Sequence, residues 1–274
     1  MTHRPLLLAR LLVALGVAFC TAGVATATTT EASELFADAN ATFERALQEW
    51  EDDQAGSRAT IIEALATYYA IAEEGTATAA VFANAGNAAL LLERHAEAVL
   101  AFRRALRIDP TDRVARAGLA EARGRVGPVV PKSSSARAAD VGLAWRPWVS
   151  GRTLTIVALA CWALAWLSYS AASLGAAVRL RLLPLVVVGT ACGTAAFAEQ
   201  VLIHNTDAGV LLRETPGIQG PSPVVFESTF DAPLPAGTEF TRHEARTDWW
   251  RVSLADGTDT WIDASSAELV APDH

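Results

Sequence analysis

The hydrophobic positions of the chain follow three different patterns along its length. Within 31–126, apolar and small residues recur every three to four positions, which predicts amphipathic helices. The stretches 153–178 and 182–198 contain no charged residue, so helices formed there would lack a polar face. Within 207–271, short alternating runs are separated by Pro and Gly, which predicts strands and turns. The chain therefore predicts a multidomain protein: a helical region, two apolar helices and a small all-β region.

The amino-terminal residues 1–27 have the features of a secretory signal peptide. Arg4 precedes a long apolar run, and the small residues at 25–27 form a suitable cleavage site. Two alternatives stay open, namely cleavage before Cys20 as in a lipoprotein, or retention of the segment as a membrane anchor. Phe19 argues against the lipoprotein alternative, because cleavage before Cys20 requires a small residue at the preceding position. All three interpretations export the chain that follows.

The two uncharged stretches predict a transmembrane hairpin with helices at 153–178 and 182–201. A hydrocarbon core of about 30 Å requires about 20 helical residues. Trp145 and Trp148 precede the first stretch, where interfacial aromatic residues are expected. A helical hairpin buried in a soluble core is the alternative. Combined with an exported amino terminus, the hairpin predicts a multi-pass protein of the bacterial inner membrane, with both water-facing regions in the periplasm.

The helical region 31–126 has the spacing of tetratricopeptide repeats, which recur about every 34 residues. Counting back from Pro110, Gly86 and Ala98 fall at the small positions of two paired helices, and Phe102 falls at an aromatic position. We expect the two small residues to let the helices approach and Phe102 to fill the remaining gap. Such helical arrays bind peptides or protein segments in a groove.

Further helices are predicted on both sides of this unit, which gives five in all. The segments "ELFADANATFERALQEW" and "SRATIIEALATYYAIAEEG" resemble a degenerate earlier repeat, and "RVARAGLAEARGRV" is interpreted as a capping helix. Arg103, Arg104 and Arg107 lie near the end of the fourth helix, where cations suit the helix dipole. We predict that these arginines point mostly to water.

Asn84 and Asn87 are the candidate partner-binding residues of the helical region. They lie three positions apart on the first helix of the clear repeat and therefore share a face. Asparagine side chains can hold an extended peptide backbone. The alternative is that one or both form hydrogen bonds between helices.

The remaining residues form a predicted linker and a predicted small barrel. Residues 127–152 are rich in Pro and Ser and lack periodicity. In 207–271, Asp256-Gly257 predicts a hairpin turn. The strands are predicted at 210–213, 224–227, 239–244, 249–254 and 259–262. Five short strands in so small a region favour a small barrel.

The tryptophans of the all-β region divide between the two faces of the sheet. Trp250, Val252 and Leu254 alternate along one strand and are predicted to lie in the core. Trp249 falls on the opposite face. Trp249 and Trp261 are therefore candidates for a ligand-binding surface, with a purely structural role as the alternative.

The order of these segments resembles that of the BatE proteins of aerotolerance-type (Bat) operons. The resemblance is carried by "FANAGNAALLLERHAEAVLAFRRALRIDPTD", by the two uncharged stretches and by "DWWRVSLADGTDTW". The last motif resembles bacterial SH3-like domains, although Thr260 stands where a glycine usually precedes the tryptophan. The resemblance implies a membrane-anchored adapter for stress or oxygen tolerance. Its implied partners are membrane proteins with von Willebrand factor A domains and a MoxR-type ATPase.

The leading functional hypothesis is a non-enzymatic adapter that binds protein partners. The alternative is a cell-wall sensor whose SH3-like domain binds peptidoglycan. An enzyme is disfavoured because His95, His204 and His243 are isolated and no paired carboxylates form a motif. The predicted water-facing regions contain no cysteine, which argues against a zinc site, and no basic stripe suits nucleic acid. No catalytic, cofactor or metal site is predicted.

Overall fold

The computed structural model describes residues 28–126, 149, 151–173, 182–199 and 207–271. The predicted signal peptide, most of the predicted linker and the far ends of both predicted transmembrane helices lie outside the described residues. The chain divides into two units, Met1–Ala77 and Thr78–His274.

The described part of the first unit is a pair of helices, α1 (Thr28–Glu49) and α2 (Gln54–Glu73). Asp53 precedes α2, and its carboxylate accepts a hydrogen bond from a backbone N–H of the first turn at 2.9 Å. Tyr68 is fully buried and donates its hydroxyl to Asn40 Oδ1 at 2.7 Å. Because the buried hydroxyl has this partner, the two helices can bury a large aromatic side chain without an unsatisfied polar group.

The second unit begins with helices α3 (Ala79–Leu91), α4 (His95–Ile108) and α5 (Arg113–Arg125). The turn between α3 and α4 contains Glu93 in the left-handed region, with a φ of 61°. Asp112 caps α5 by accepting hydrogen bonds from two backbone N–H groups of its first turn, at 2.8 and 3.1 Å. The five helices predicted within 31–126 are confirmed.

Phe102 of α4 is fully buried between α3 and α5. A Cβ atom placed on Gly86 of α3 would lie 2.7 Å from the Phe102 ring, and one placed on Gly118 of α5 would overlap the same ring. The predicted contact between Gly86 and Phe102 is therefore confirmed. The equivalent requirement at Gly118 was not predicted from the sequence.

Helices α6 (Gly151–Ser173) and α7 (Leu182–Glu199) follow and pack against each other. Gly189 of α7 permits the approach, since a Cβ atom there would lie 3.1 Å from the side chains of Cys161 and Trp162 of α6. Several large apolar side chains of both helices are exposed, among them Trp166 and Phe197.

Within the described residues, no helix has both the length and the apolar character that crossing a membrane requires. The predicted transmembrane hairpin and the multi-pass inner-membrane localisation derived from it are therefore wrong. In α6, the run without a polar or charged residue is 156–167, which covers only about 18 Å at 1.5 Å per residue. In α7, Gly189, Thr190, Gly193 and Thr194 interrupt the apolar run.

The all-β region forms one antiparallel sheet with the strand order β4-β3-β2-β1-β5. The strands are β1 (Ala208–Leu211), β2 (Glu239–Arg246), β3 (Trp249–Leu254), β4 (Asp259–Asp263) and β5 (Ala267–Leu269). The predicted hairpin turn is confirmed, because Gly257 has a φ of 89° between β3 and β4. The strand predicted at 224–227 is wrong, since those residues form a turn and bend, and β5 was not predicted.

The described strands form an open sheet and do not close into a barrel, so the predicted SH3-like small barrel is wrong. The physical reason lies at the outer edge of β4. There the backbones of Trp261 and Ile218 exchange two hydrogen bonds, of 2.8 and 2.9 Å. The Thr260 hydroxyl also donates to the Ile218 carbonyl at 3.1 Å. Because a loop residue occupies this edge, β4 does not pair with β5.

The interior of the sheet has its own apolar core. Val252 and Leu254 of β3 are buried in it, as predicted, together with Phe240 of β2 and Ile262 of β4. Trp250 is partly buried at its margin, with its ring 6.3 Å from that of Phe240. The alternation along β3 therefore leaves Trp249 on the opposite face of the sheet.

Candidate binding surfaces

The sheet is fastened to helices α4 and α5 through the carboxylate of Glu239, the first residue of β2. Arg123 of α5 donates to both carboxylate oxygens, with Nε–Oε1 at 2.6 Å and Nη2–Oε2 at 2.9 Å. Arg103 of α4 approaches the same carboxylate, with Nε–Oε2 at 3.2 Å. Bidentate charge-assisted hydrogen bonds of this kind are directional as well as strong. One strand residue thus fixes two helices.

A second contact joins α4 to the edge strand β5. Arg104 Nη2 donates to Glu268 Oε1 at 2.5 Å and to the Leu269 carbonyl oxygen at 2.9 Å. The Arg104 guanidinium carbon also lies 5.9 Å from the centre of the Phe82 ring. The Arg104 side chain is only 14% exposed, so it is shielded from water far more than a surface arginine. We call Arg103, Arg104, Arg123, Glu239 and Glu268 the clasp.

The clasp borders an apolar seam between helices and sheet. Val210 of β1 and Val270, which follows β5, are buried in the same apolar cluster as Ala98 and Leu119 of the helices. Burial of this seam stabilises the contact without directional requirements.

The clasp contradicts one prediction from the sequence. Arg103 and Arg104 were expected to point to water, and this expectation is wrong. Glu239 and Glu268 come from strands far away in the chain, and neither lies in a motif. The helix pattern alone therefore could not identify the partners of these arginines.

Asn84 and Asn87, the candidate residues of the helical region, are both half-buried on α3. They border the buried small residues Ala83, Ala85 and Ala88, which pack toward the neighbouring helices. Neither asparagine belongs to the clasp. Their role in holding a peptide stays a prediction.

Trp249 and Trp261, the candidate residues of the sheet, lie on the same outer face. Arg251 of β3 is the cross-strand partner of Trp261 of β4, so the two side chains share one face of the sheet. Trp249 lies two residues before Arg251 and therefore lies on the same face. Trp261 is only 8% exposed, and the Arg246 guanidinium carbon lies 4.8 Å from its ring centre. Trp249 is half-buried and is therefore the more accessible of the two.

An exposed ion pair lies on the same outer face. Arg251 Nη2 donates to Asp259 Oδ2 at 2.7 Å. This hydrogen bond is the main cause that lowers the pKa of the Asp259 carboxyl and raises the pKa of the Arg251 guanidinium. The outer face thus presents an aromatic ring beside paired charges.

A further exposed apolar element was missed from the sequence. Val224 and Val225 are 93% and 74% exposed at the tip of a loop. The loop turns sharply, since the Phe226 N–H donates to the Ser222 carbonyl at 3.1 Å, and the Phe226 ring packs over Gly220. Pro221 precedes this turn and Pro223 lies within it, and these prolines were the available signal against a strand.

Comparison with known proteins adds no assignment, because no family model, curated protein or solved structure matches the chain. The resemblance to BatE proteins stays a prediction. Within the described residues, no group of three or more His, Cys, Asp or Glu side chains is arranged to hold a metal ion.

Proposed function

We propose that the protein is a non-enzymatic adapter that binds protein partners through its helical repeat and its sheet. The clasp and the apolar seam are the observation that carries this proposal. They hold α3–α5 and the sheet in one orientation, so a partner that contacts both would not have to order them on binding. Avoiding that loss of conformational freedom favours affinity.

Asn84 and Asn87 are the proposed contacts on the helical side, and Trp249 is the proposed contact on the sheet. Stacked helical repeats present extended concave surfaces to their partners. An accessible tryptophan gives a large contact area at a low entropic cost. The resemblance favours von Willebrand factor A domain proteins and a MoxR-type ATPase as partners in stress or oxygen tolerance.

Site-specific photo-cross-linking in the native host tests the proposal. A photoreactive residue replaces Asn87 or Trp249 in the full chain, and the captured proteins are identified by mass spectrometry. We expect both positions to capture the same protein. The matched control is Gln48, an exposed amide on α1. Capture of the same set of proteins from position 48, or of none from positions 87 and 249, contradicts the proposal.

Peptidoglycan binding by the sheet is the second candidate function. It is favoured by Trp249 on the outer face, because an accessible aromatic ring can stack on a sugar. Retention of the full chain on purified cell wall tests this function. Retention that Trp249→Ala abolishes and Asn87→Ala preserves would support a cell-wall role in place of the adapter.

A further inference from the structure

Helices α6 and α7 present an apolar surface that is unusually large for a protein surrounded by water. Six of their apolar side chains are each more than half exposed: Ile156, Leu159, Trp166, Leu167, Val187 and Phe197. They lie on more than one side of the hairpin, so they leave apolar surface exposed along most of its length. Exposed apolar surface of this extent marks a site that binds a partner.

Of the eight large apolar side chains of α6 that are exposed among the described residues, four lie on one side of that helix. At about 100° per residue, Ile156, Leu159, Trp166 and Leu167 fall within an arc of about 100°. These four side chains form a stripe, while Val157, Leu164 and Tyr169 are exposed on other sides of the same helix.

A shallow groove of about 620 Å³ runs between α6 and α7 beside this stripe. Small residues from both helices line it, including Ala158, Gly189 and Gly193. Leu159 and Phe197 also line the groove while remaining strongly exposed, so they form its rim. The protruding rim and the groove lined by small residues therefore lie on the same surface of the hairpin.

We propose that this groove binds the α6–α7 hairpin of a second copy of the chain, which forms a two-fold symmetric four-helix arrangement. A two-fold interface requires one surface that carries both the protrusion and the recess, and the rim and groove meet that requirement. The side chains that would enter the partner's groove are those of the rim, Leu159 and Phe197, which are 66% and 70% exposed.

The chemistry of the hairpin also favours its own copy as the occupant. The segments 153–178 and 182–198 contain no charged residue. A charged peptide or a nucleic acid would therefore find no complementary group there. A second hairpin matches the first in length, and contact between residues 153–173 and 182–198 of the two copies buries no charge.

Sedimentation-velocity analysis of the full chain tests the proposal, with the wild type compared against Leu159→Glu and Phe197→Glu. Each variant places a charge on the exposed rim, so the packing of α6 on α7 is retained and circular dichroism should show unchanged helix content. We expect a wild-type dimer at micromolar concentration and at least a tenfold higher dissociation constant for both variants. Val225→Glu makes an equivalent exposed change outside the hairpin and should leave the dimer intact.

A wild-type monomer at these concentrations overturns the proposal, as does a dimer that neither rim variant weakens. Flotation with phosphatidylcholine vesicles provides the other decisive outcome. If the wild type floats with vesicles as a monomer, lipid rather than a second copy covers the surface and the proposal fails. The proposed adapter function does not depend on either result.

Discussion

Arg123 and Glu239 are joined by two hydrogen bonds, of 2.6 and 2.9 Å, although α5 and β2 are far apart in the chain. The Glu239 side chain is 23% exposed and also faces Arg103. This pair links the helical repeat to the sheet and is the relationship on which the proposed adapter depends.

Removing the charge of Glu239 should loosen that link. Glu239→Gln keeps the size of the side chain but removes the carboxylate that Arg103 and Arg123 contact. We expect the free energy of unfolding to fall by about 1–3 kcal/mol in urea titrations. The control is Glu244→Gln, which affects an exposed pair with Arg246 and should cost less than about 1 kcal/mol. If the free energy of unfolding falls equally in Glu239→Gln and Glu244→Gln, the Glu239 contact stabilises the protein no more than an exposed ion pair does.

The two glycines of α5 should respond in opposite directions to alanine. Gly118→Ala forces a methyl group into the Phe102 ring, and we expect a loss of about 1–3 kcal/mol. Gly124→Ala meets no atom within 4 Å and should stabilise the helix by about 0.5–1 kcal/mol. Thermal unfolding followed by circular dichroism measures both. A stable Gly118→Ala protein would mean that Phe102 can move aside.

Arg104 should protect the edge strand β5 from opening. Arg104→Met keeps an apolar stem but removes the hydrogen bonds to Glu268 and to the Leu269 carbonyl. We expect faster hydrogen exchange at 267–271, measured by mass spectrometry on the native protein. Arg107→Met, one turn further along α4, should leave exchange in that segment unchanged. If the exchange rates at 267–271 are the same in Arg104→Met and Arg107→Met, Arg104 does not protect β5.

The Arg251–Asp259 pair predicts a pH dependence with a definite sign. Because the folded protein lowers the pKa of Asp259, the pair contributes stability above the ordinary Asp pKa of about 3.9. That contribution is lost as the pH falls through the folded-state pKa. An NMR titration should place the Asp259 pKa below its ordinary value in the wild type.

Arg251→Gln should raise the pKa of Asp259 toward its ordinary value, because the hydrogen bond from Arg251 is the main cause of the shift. Arg213→Gln, an exposed change on another part of the same unit, should leave the pKa of Asp259 where it is. An unchanged pKa in Arg251→Gln would assign the shift to another group.

Local patterns predicted the elements that depend on near neighbours in the chain. The spacing of Gly86, Ala98 and Phe102 identified a helix pair, since residues on a helix face repeat every three to four positions. The run 249–254 followed by Asp256-Gly257 identified β3 and its turn, because alternation and a glycine with positive φ are both local requirements.

Features that depend on distant segments were mispredicted or missed. The apolar character of 153–178 and 182–201 suggested a transmembrane hairpin, which the described helices contradict. The number of short strands suggested a closed barrel, but Ile218 occupies the edge of β4. Among the candidate residues, Asn84, Asn87 and Trp249 are half-buried and Trp261 is buried, and their partners stay predictions.

The amino-acid sequence by itself determined the five helices of 31–126, the glycine contact with Phe102 and the division of faces along β3. These features follow from backbone periodicity and from side-chain size within a few turns or one strand. Only the tertiary structure decided that Glu239 and Glu268 fasten the sheet to α4 and α5. These carboxylates contact their arginines only after the whole unit has folded. The spacing of the residues along the chain therefore does not predict the ion pairs.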